Sequence, residues 1–372
     1  MKSLITVPTY NEAPNIEAFI RTVFEHIPQD VEVLVIDDKS PDRTADLVEA
    51  MIPQYSGRLH ILNRPGKQGL AQAYLAAFDW GLYRNYDVFL EMDADFSHDP
   101  RYIGQMLEQI QTHDVVIGSR NIKGGMVEGW PAWRNAISKG GSLYSRIILD
   151  CPIRDLTGGY NMWRKSALEK IGLKNIISAG YSFQIEMKYR AFCSGCSMKE
   201  IPIIFADRKL GKSKMSKKIF LEALLNIWKI KKSVGRDTGI DQFIKFAVTG
   251  GLGTITNVSI FFLLVDKLMM PEIPVSIACF LIAVTQNYII NQKWSFRQNT
   301  GKSRLSFNKW GAFTAGSLIG LGVNIIILKF LISSFELPYK FIAQLAGIAM
   351  GMIVNFFISK NIIFKNQRKA NE

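Results

Sequence analysis

Cysteine and histidine are scarce, four of each in 372 residues. Cys151, Cys193, Cys196 and Cys279 are too few to staple a small secreted scaffold, and the histidines lack metal-ligand spacing. Neither G-x-G-x-x-G nor G-x-x-x-x-G-K-[ST] occurs, which argues against a dinucleotide oxidoreductase and a P-loop ATPase. No secretory signal is expected, because "MKSLITVPTYNEAPN" meets Pro and Glu before any long apolar run. Acids run out along the chain: 27 fall in residues 1–240 and five in 241–372, where Lys and Arg number 32 and 13. A charged head therefore precedes an apolar, basic tail. With 48% hydrophobic residues and a mean hydropathy of +0.08, the chain is not disordered.

The tail contains four apolar runs, roughly 243–265, 273–292, 310–334 and 340–359, each near the 20 or so residues that cross about 30 Å of hydrocarbon. Lys245 and Lys329 lie near span ends, where their stems can snorkel. The segment after the second run carries Lys293, Arg297, Lys302, Arg304 and Lys309 and no acid, and Lys360, Lys365, Arg368 and Lys369 follow the fourth. The positive-inside rule then predicts a multi-pass protein with its head and both termini in the cytoplasm. Small residues in "TGGLGT", "AGSLIGLG" and "AGIAMGM" allow close helix packing. Asn257, Asn287, Asn324 and Asn355 fall one per run. Interhelical hydrogen bonding is the favoured role for them, ahead of a lipid-headgroup or transport role.

In the head, "SLITVPTY", "VEVLVIDD", "RLHILNR", "DVFLEMDAD" and "DVVIGSR" read as strands separated by helical segments such as "APNIEAFIRTVFEHI" and "GLAQAYLAAFDWGLYR". This alternation predicts a parallel sheet covered on both faces, with ligands at the carboxyl ends of the strands. Polar residues there are Thr9, Tyr10 and Glu12; Asp37 and Asp38; Asp93 and Asp95; and Ser119 and Arg120. Asp93-Ala94-Asp95 ends a strand, and a side-chain period of two puts both carboxylates on one face. Oxygen ligands so spaced suit a hard cation, Mg²⁺ or Mn²⁺, shared with substrate phosphates. Ser97 adds a hydroxyl or water-mediated ligand. The Asp38 carboxylate could accept hydrogen bonds from a ribose or base edge, or cap a helix, a role open to Ser40 as well. Lys67 could reach a diphosphate or be solvated.

The succession "PTYNE", "VIDDKSPDRT", "GKQGLAQAY", "MDADFSHDP" and "GSR" resembles family 2 glycosyltransferases of the GT-A fold. "GGMVEGWPAWRNAISKG", "DLTGGYNMW", "GYSFQIEM" and "IPIIFADRKLGKSKMS" resemble the polyprenol (dolichol) monophosphate mannose synthases among them. The tail resembles the small GtrA-like membrane domain. The resemblance implies an α/β GT-A (Rossmann-like) head over 1–215, a basic amphipathic interfacial region over 216–240, and an all-α four-helix transmembrane domain over 241–372. It also implies GDP-mannose as donor and a polyprenyl phosphate as acceptor. Pro8, Tyr10, Glu12, Ile36 and Asp38 would hold the nucleoside, with Lys67 and Ala94 also at the donor. Asp93, Asp95 and Ser97 would surround the metal, where some relatives carry Gln in place of Ser97. Arg120 and Arg134 would face the phosphates or acceptor, and Arg208 and Lys214 would close over the diphosphate or grip the acceptor phosphate.

An acceptor that is already a phosphate anion needs little general base, so positioning and stabilisation of the departing diphosphate are expected to carry catalysis. Attack from the opposite face inverts the sugar, giving a β-linked product from an α-linked donor. Residues 208–236 hold ten Lys and Arg against Glu222 alone. Directly before membrane spans this reads as a lipid-facing helix, with Ile219, Ala223, Leu224, Ile227 and Trp228 on its apolar face, rather than a nucleic-acid site. Cys193-Ser194-Gly195-Cys196 has no second pair and reads as two buried thiols. Alternatives are the same chemistry with UDP-glucose or another hexose, or a lipid-linked sugar flippase or scaffold. The Q-x-x-R-W motif of processive polysaccharide synthases is absent.

Overall fold

The computed structural model describes residues 1–207, 217–235, 238–300, 304–335 and 340–365. The chain forms two compact units, Met1–Arg236 and Asp237–Glu372. The first begins β1 (Ser3–Thr9), α1 (Ile16–His26), β2 (Val31–Asp37), α2 (Thr44–Met51), β3 (Leu59–Asn63), α3 (Leu70–Tyr83) and β4 (Val88–Glu91). It continues α4 (Ile103–Gln109), β5 (Val115–Ser119), β6 (Met126–Val127), α5 (Ala132–Leu149), β7 (Asn161–Arg164) and α6 (Lys165–Ile171). It ends α7 (Tyr181–Cys193), β8 (Met198–Pro202), β9 (Ile204–Phe205) and α8 (Lys217–Val234).

Seven strands make one sheet in the order β3-β2-β1-β4-β7-β5-β8. β1 and β2 are apolar runs without alternation because helices cover both faces. Ile16, Phe19, Ile20 and Val23 of α1, spaced as one helical stripe, have no exposed surface and pack with Val33 and Val35. The expected all-parallel sheet carries one exception, since β7 runs antiparallel to both β4 and β5. Its four residues, "NMWR", contain no β-branched side chain and are too few to display a period. β6 and β9 form a separate parallel ribbon.

The basic helix α8 packs within this unit. The Trp228 indole donates to the Tyr144 hydroxyl at 2.9 Å, and Arg190 of α7 donates to Ser233 at 3.2 Å. Ile227 and Ile230 are buried, whereas Leu225 is 59% and Trp228 39% exposed. The expected apolar face therefore divides, with Ile227 turned into the head. The side chains of Ile219 and Ala223 lie outside the described residues. Cys196 is buried as expected, whereas Cys193 is only half-buried, and burial pushes the Cys196 thiol up from its ordinary value.

The second unit contains α9 (Gly239–Phe261), α10 (Glu272–Ile290), the short α11 (Arg297–Thr300), α12 (Phe307–Ser334) and α13 (Lys340–Ile358). Four helical segments, Gly239–Lys267, Glu272–Ser295, Phe307–Ser334 and Ile342–Ile363, are long and apolar enough to cross a bilayer, and this is a membrane protein. α10 and α13 each run on into a π-helical turn, Asn291–Ser295 and Ser359–Ile363. Asn291, Gln292 and Ser295 are buried there, at and just beyond the end of the second apolar run. The two turns end at Phe296 and Phe364, which have no exposed surface and stack on each other at 4.9 Å. A Cβ on Gly320 would come within 2.9 Å of the Gly351 carbonyl oxygen, so α12 and α13 approach backbone to backbone.

Candidate active site

From β1 the chain winds outward through β2 to β3, then returns to place β4 on the other side of β1. Such a reversal opens a crevice at the carboxyl ends of the strands. The register pairs Thr9 with Asp37 and Thr6 with Glu91, so the loops after β1, β2 and β4 converge there. Each loop contains a non-glycine residue in left-handed backbone: Asn11 (φ 63°), Lys39 (φ 58°) and Phe96 (φ 61°). Conformations of this kind cost of order 1 kcal/mol and concentrate at functional sites.

On the β1–β2 side, Asp37 closes the turn. Its Oδ1 accepts from Thr9 Oγ1 at 2.9 Å and Ser40 Oγ at 2.5 Å, and its Oδ2 accepts from Ser40 N at 2.8 Å. Asp38 instead meets Arg64, Nη1 to Oδ1 2.6 Å, with both side chains buried. Burial raises the Asp38 carboxyl above its ordinary value against the pull of Arg64. Neither Asp38 nor Ser40 caps α2, whose preceding residue is Arg43. Lys67 Nζ lies 3.8 Å from the centre of the Tyr10 ring. The Glu12 amide donates to Thr44 Oγ1 at 3.0 Å, and its carboxylate accepts from Asn15 Nδ2 at 3.2 Å. Pro8 pairs with Ile36 in register. Ile36 has no exposed surface, so it presents no atom to the crevice and its expected contact with the nucleoside is not seen in this geometry.

Beyond β4, the Asp93 amide donates to His98 Nδ1 at 3.0 Å and Tyr74 Oη donates to Asp93 Oδ1 at 3.3 Å. Burial first, and Asp93 second, push the Tyr74 phenol well up, so it remains a protonated donor. Asp95 Oδ1 accepts from Ser97 N at 3.1 Å and Ser97 Oγ at 2.6 Å. Ser97 is 1% exposed, and its hydroxyl acts on Asp95 in this geometry. Ala94 is buried between the two aspartates. His98 stacks on Tyr160 at 4.8 Å and meets Phe205 edge-on at 5.7 Å. Sequence reasoning missed His98 and Tyr74, although they lie inside the quoted "MDADFSHDP" and "GKQGLAQAY" strings.

The two candidate arginines connect to Phe205, Arg120 directly and Arg134 through Trp130. Arg120 lies 5.3 Å from the Phe205 ring centre and is held by Asp155: Nε to Oδ2 2.8 Å and Nη2 to Oδ1 2.8 Å, with its amide to Oδ2 at 3.0 Å. Burial alone would raise Asp155, but Arg120 holds it well below the carboxylate range. Arg134 stacks over Trp130 at 3.9 Å and reaches Asp207 Oδ1 at 3.3 Å, which also accepts from the Trp130 indole at 3.1 Å. Trp130 in turn meets Phe205 edge-on at 5.6 Å. Arg208 and Lys214 lie outside the described residues.

Beneath the aspartates is a buried polar network that the sequence did not reveal. Glu91 accepts from Asn161 Nδ2 at 2.9 Å, Trp163 Nε1 at 3.1 Å and Gln184 Nε2 at 3.2 Å. Burial pushes Glu91 up in spite of these donors. Lys188 donates to the carbonyls of Asp155, Leu156 and Gly158, and burial lowers it. These bonds pin the "DLTGGYN" loop, and Asp155 within it orients Arg120.

A model described as glycosyl transferase family 2 matches residues 4–172, and one described as the GtrA/DPMS transmembrane domain matches 245–364. The chain is 42% identical over 242 residues to a polyprenol monophosphomannose synthase of Mycolicibacterium smegmatis, covering 64% of this chain and 91% of that one. It is 43% identical over 227 residues to an undecaprenyl-phosphate mannosyltransferase of Micrococcus luteus, covering 61% and 93%. A dolichol-phosphate mannosyltransferase of Pyrococcus furiosus is 31% identical over 366 residues, 97% of this chain and 99% of that one.

Proposed function

The chain belongs to the polyprenyl-phosphate mannose synthases, GT-A glycosyltransferases of family 2 with a GtrA-type membrane domain, and from that premise we propose that it transfers mannose from GDP-mannose to a polyprenyl phosphate at the cytoplasmic membrane face, with inversion. The observation that supports this reading is that Asp93 and Asp95 directly follow β4, at the carboxyl end of the sheet beside β1. No cluster of three or more His, Cys, Asp or Glu among the described residues could hold a metal ion. Two carboxylates completed by diphosphate oxygens are a donor set that Mg²⁺ or Mn²⁺ accepts, so the residues present fit such an ion with Asp93 and Asp95 as ligands. When bound, the cation supplies Lewis-acid stabilisation of the departing nucleoside diphosphate.

The remaining chemistry rests on side chains. Ser97, Tyr74 and His98 fix the carboxylates and their loop, so little reorganisation is needed when the donor arrives. Tyr10, Asp38 and Lys67 line the nucleoside side, with Pro8, Glu12 and Ala94 shaping it through backbone and packing. Arg134 is the more available arginine for an incoming phosphate, and Arg120 holds the neighbouring loop through Asp155. The acceptor arrives ionised, so correct placement of its oxygen behind the anomeric carbon supplies much of the rate. The basic segments after the second and fourth spans support cytoplasmic termini. A donor panel tests the reading: GDP-mannose, UDP-glucose and UDP-N-acetylglucosamine, each with undecaprenyl phosphate and Mg²⁺ or Mn²⁺. GDP-mannose is expected to give lipid-extractable sugar at least tenfold faster than either competitor. Preference for a UDP-sugar would overturn the donor assignment.

A further inference from the structure

β4 leads into Asp93 and Asp95, β5 leads into Arg120, and β7 lies between them. β7 runs opposite to both, so its first residue, Asn161, pairs with Glu91 on one side and Ile117 on the other. An antiparallel strand enters a sheet at the edge where its neighbours leave it. The loop 155–160, which feeds β7, therefore meets the carboxyl edge between the aspartate turn and Arg120.

Each end of this loop touches one of the two. At its start Asp155 grips Arg120, and Thr157 Oγ1 accepts from Arg120 Nη2 at 3.0 Å. At its end Tyr160 stacks on His98 with an interplanar angle of 8°, and a Cβ built on Gly159 would lie 3.5 Å from His98 Cε1. His98 in turn accepts the Asp93 amide at 3.0 Å. The loop is held from beneath by Lys188 of α7, which has no exposed surface. An ammonium carries three N–H donors, and Lys188 bonds the carbonyls of Asp155, Leu156 and Gly158 at 3.1, 3.3 and 2.5 Å. Asn161 has no exposed surface either. It donates to the Gly158 carbonyl at 3.2 Å and to Glu91 at 2.9 Å, which ties the loop to β4.

Burying an ammonium is costly, and an apolar side chain of similar volume often serves stability as well or better. What an apolar residue cannot do is hold three inward-facing carbonyls of one loop at fixed places. We propose that Lys188 and Asn161 are positioning residues for the transfer reaction: by fixing the loop 155–160 they hold His98, and through it the Asp93 turn, in the geometry that receives the metal. Arg120, bound by Asp155, anchors the far end of the same loop. The inference rests on the assignment of Asp93 and Asp95 to the metal and is independent of which nucleotide sugar is the donor.

The test uses the purified full chain. Mn²⁺ is titrated in with GDP or UDP present, whichever nucleotide retains the ion on the wild-type chain, and free Mn²⁺ is followed by electron paramagnetic resonance. Lys188→Met is expected to raise the Mn²⁺ Kd about tenfold, the scale on which partners behind metal ligands act. The acceptor KM is expected to stay within about twofold, because Arg134 lies outside this chain of contacts, and excess Mn²⁺ should recover most of the transfer rate. A role confined to stability would not move the Kd. Ile230→Ala, which removes buried packing on α8, is the control and is expected to lower the melting temperature with the Mn²⁺ Kd unchanged. Should Lys188→Met fail to purify, Asn161→Ser is expected to raise the Kd about fivefold, the worth of one hydrogen bond. A wild-type chain that binds no Mn²⁺ with either nucleotide would remove the metal assignment and this inference together. With a wild type that does bind, an unchanged Kd in the variant, an equal rise in Ile230→Ala, or a parallel rise in acceptor KM would overturn the proposal alone.

Discussion

Asp93 and Asp95 are held by different donors, which makes them separable. Asp93→Asn and Asp95→Asn are each expected to lower transfer by at least about 10²-fold, the scale of losing a preorganised electrostatic contact. The melting temperature should stay within about 3 °C, a shift worth roughly 1 kcal/mol. Metal-dependent activity near the wild-type level in either variant would refute their assignment. Arg120 and Asp155 are expected to behave otherwise. Asp155→Asn leaves a buried guanidinium without its anion and should destabilise the head by about 3–5 kcal/mol, read in a denaturant melt. The folded-state value of Asp155 lies below the unfolded value of about 3.9. Its contribution is therefore complete above about pH 4 and is lost as the pH falls further, so the acid limb of the stability profile should flatten in the variant.

At the scale of elements, α8 both closes the head and presents basic residues. Ile230 is fully buried, and Ile230→Ala should cost about 2–4 kcal/mol. Lys229 and Lys232 are exposed. Changing both to Gln should weaken association with anionic vesicles by about 1 kcal/mol each and lower activity on bilayer-embedded acceptor more than on a short soluble analogue. Equal loss on both acceptors would count against a lipid role for this face. Elements with long apolar or periodic stretches, β1, β2, α1 and the four spans, were readable because burial imposes those patterns. β7 was not, since its four residues are fixed by pairing with β4 and β5 rather than by their own propensity. Asp93, Asp95 and Asp38 were legible because they follow strands that could be read. His98 was not, because its bond to the Asp93 amide depends on the left-handed turn at Phe96, and Tyr74, Arg64 and Lys188 were not, because each acts through a partner 19 or more residues away. The commitment of Arg120 to Asp155 escaped notice for the same reason.

On the scale of the molecule, a GT-A head and a GtrA-type membrane unit form separate compact bodies within one chain. The head carries every residue assigned to donor and metal, so a protein ending at Gly235 should still transfer sugar to a detergent-solubilised short-chain prenyl phosphate. Loss of all chemistry in a folded truncation would give the membrane unit a catalytic part. The most direct test of the central claim follows the sugar itself. The purified full chain is given GDP-[1-¹³C]mannose, undecaprenyl phosphate and Mn²⁺, and the anomeric carbon is observed by NMR. A β-mannosyl phosphate in the lipid phase, abolished by EDTA, is the expected result. Label that remains in water as donor or free mannose, or that appears as an α-linked lipid, would contradict it.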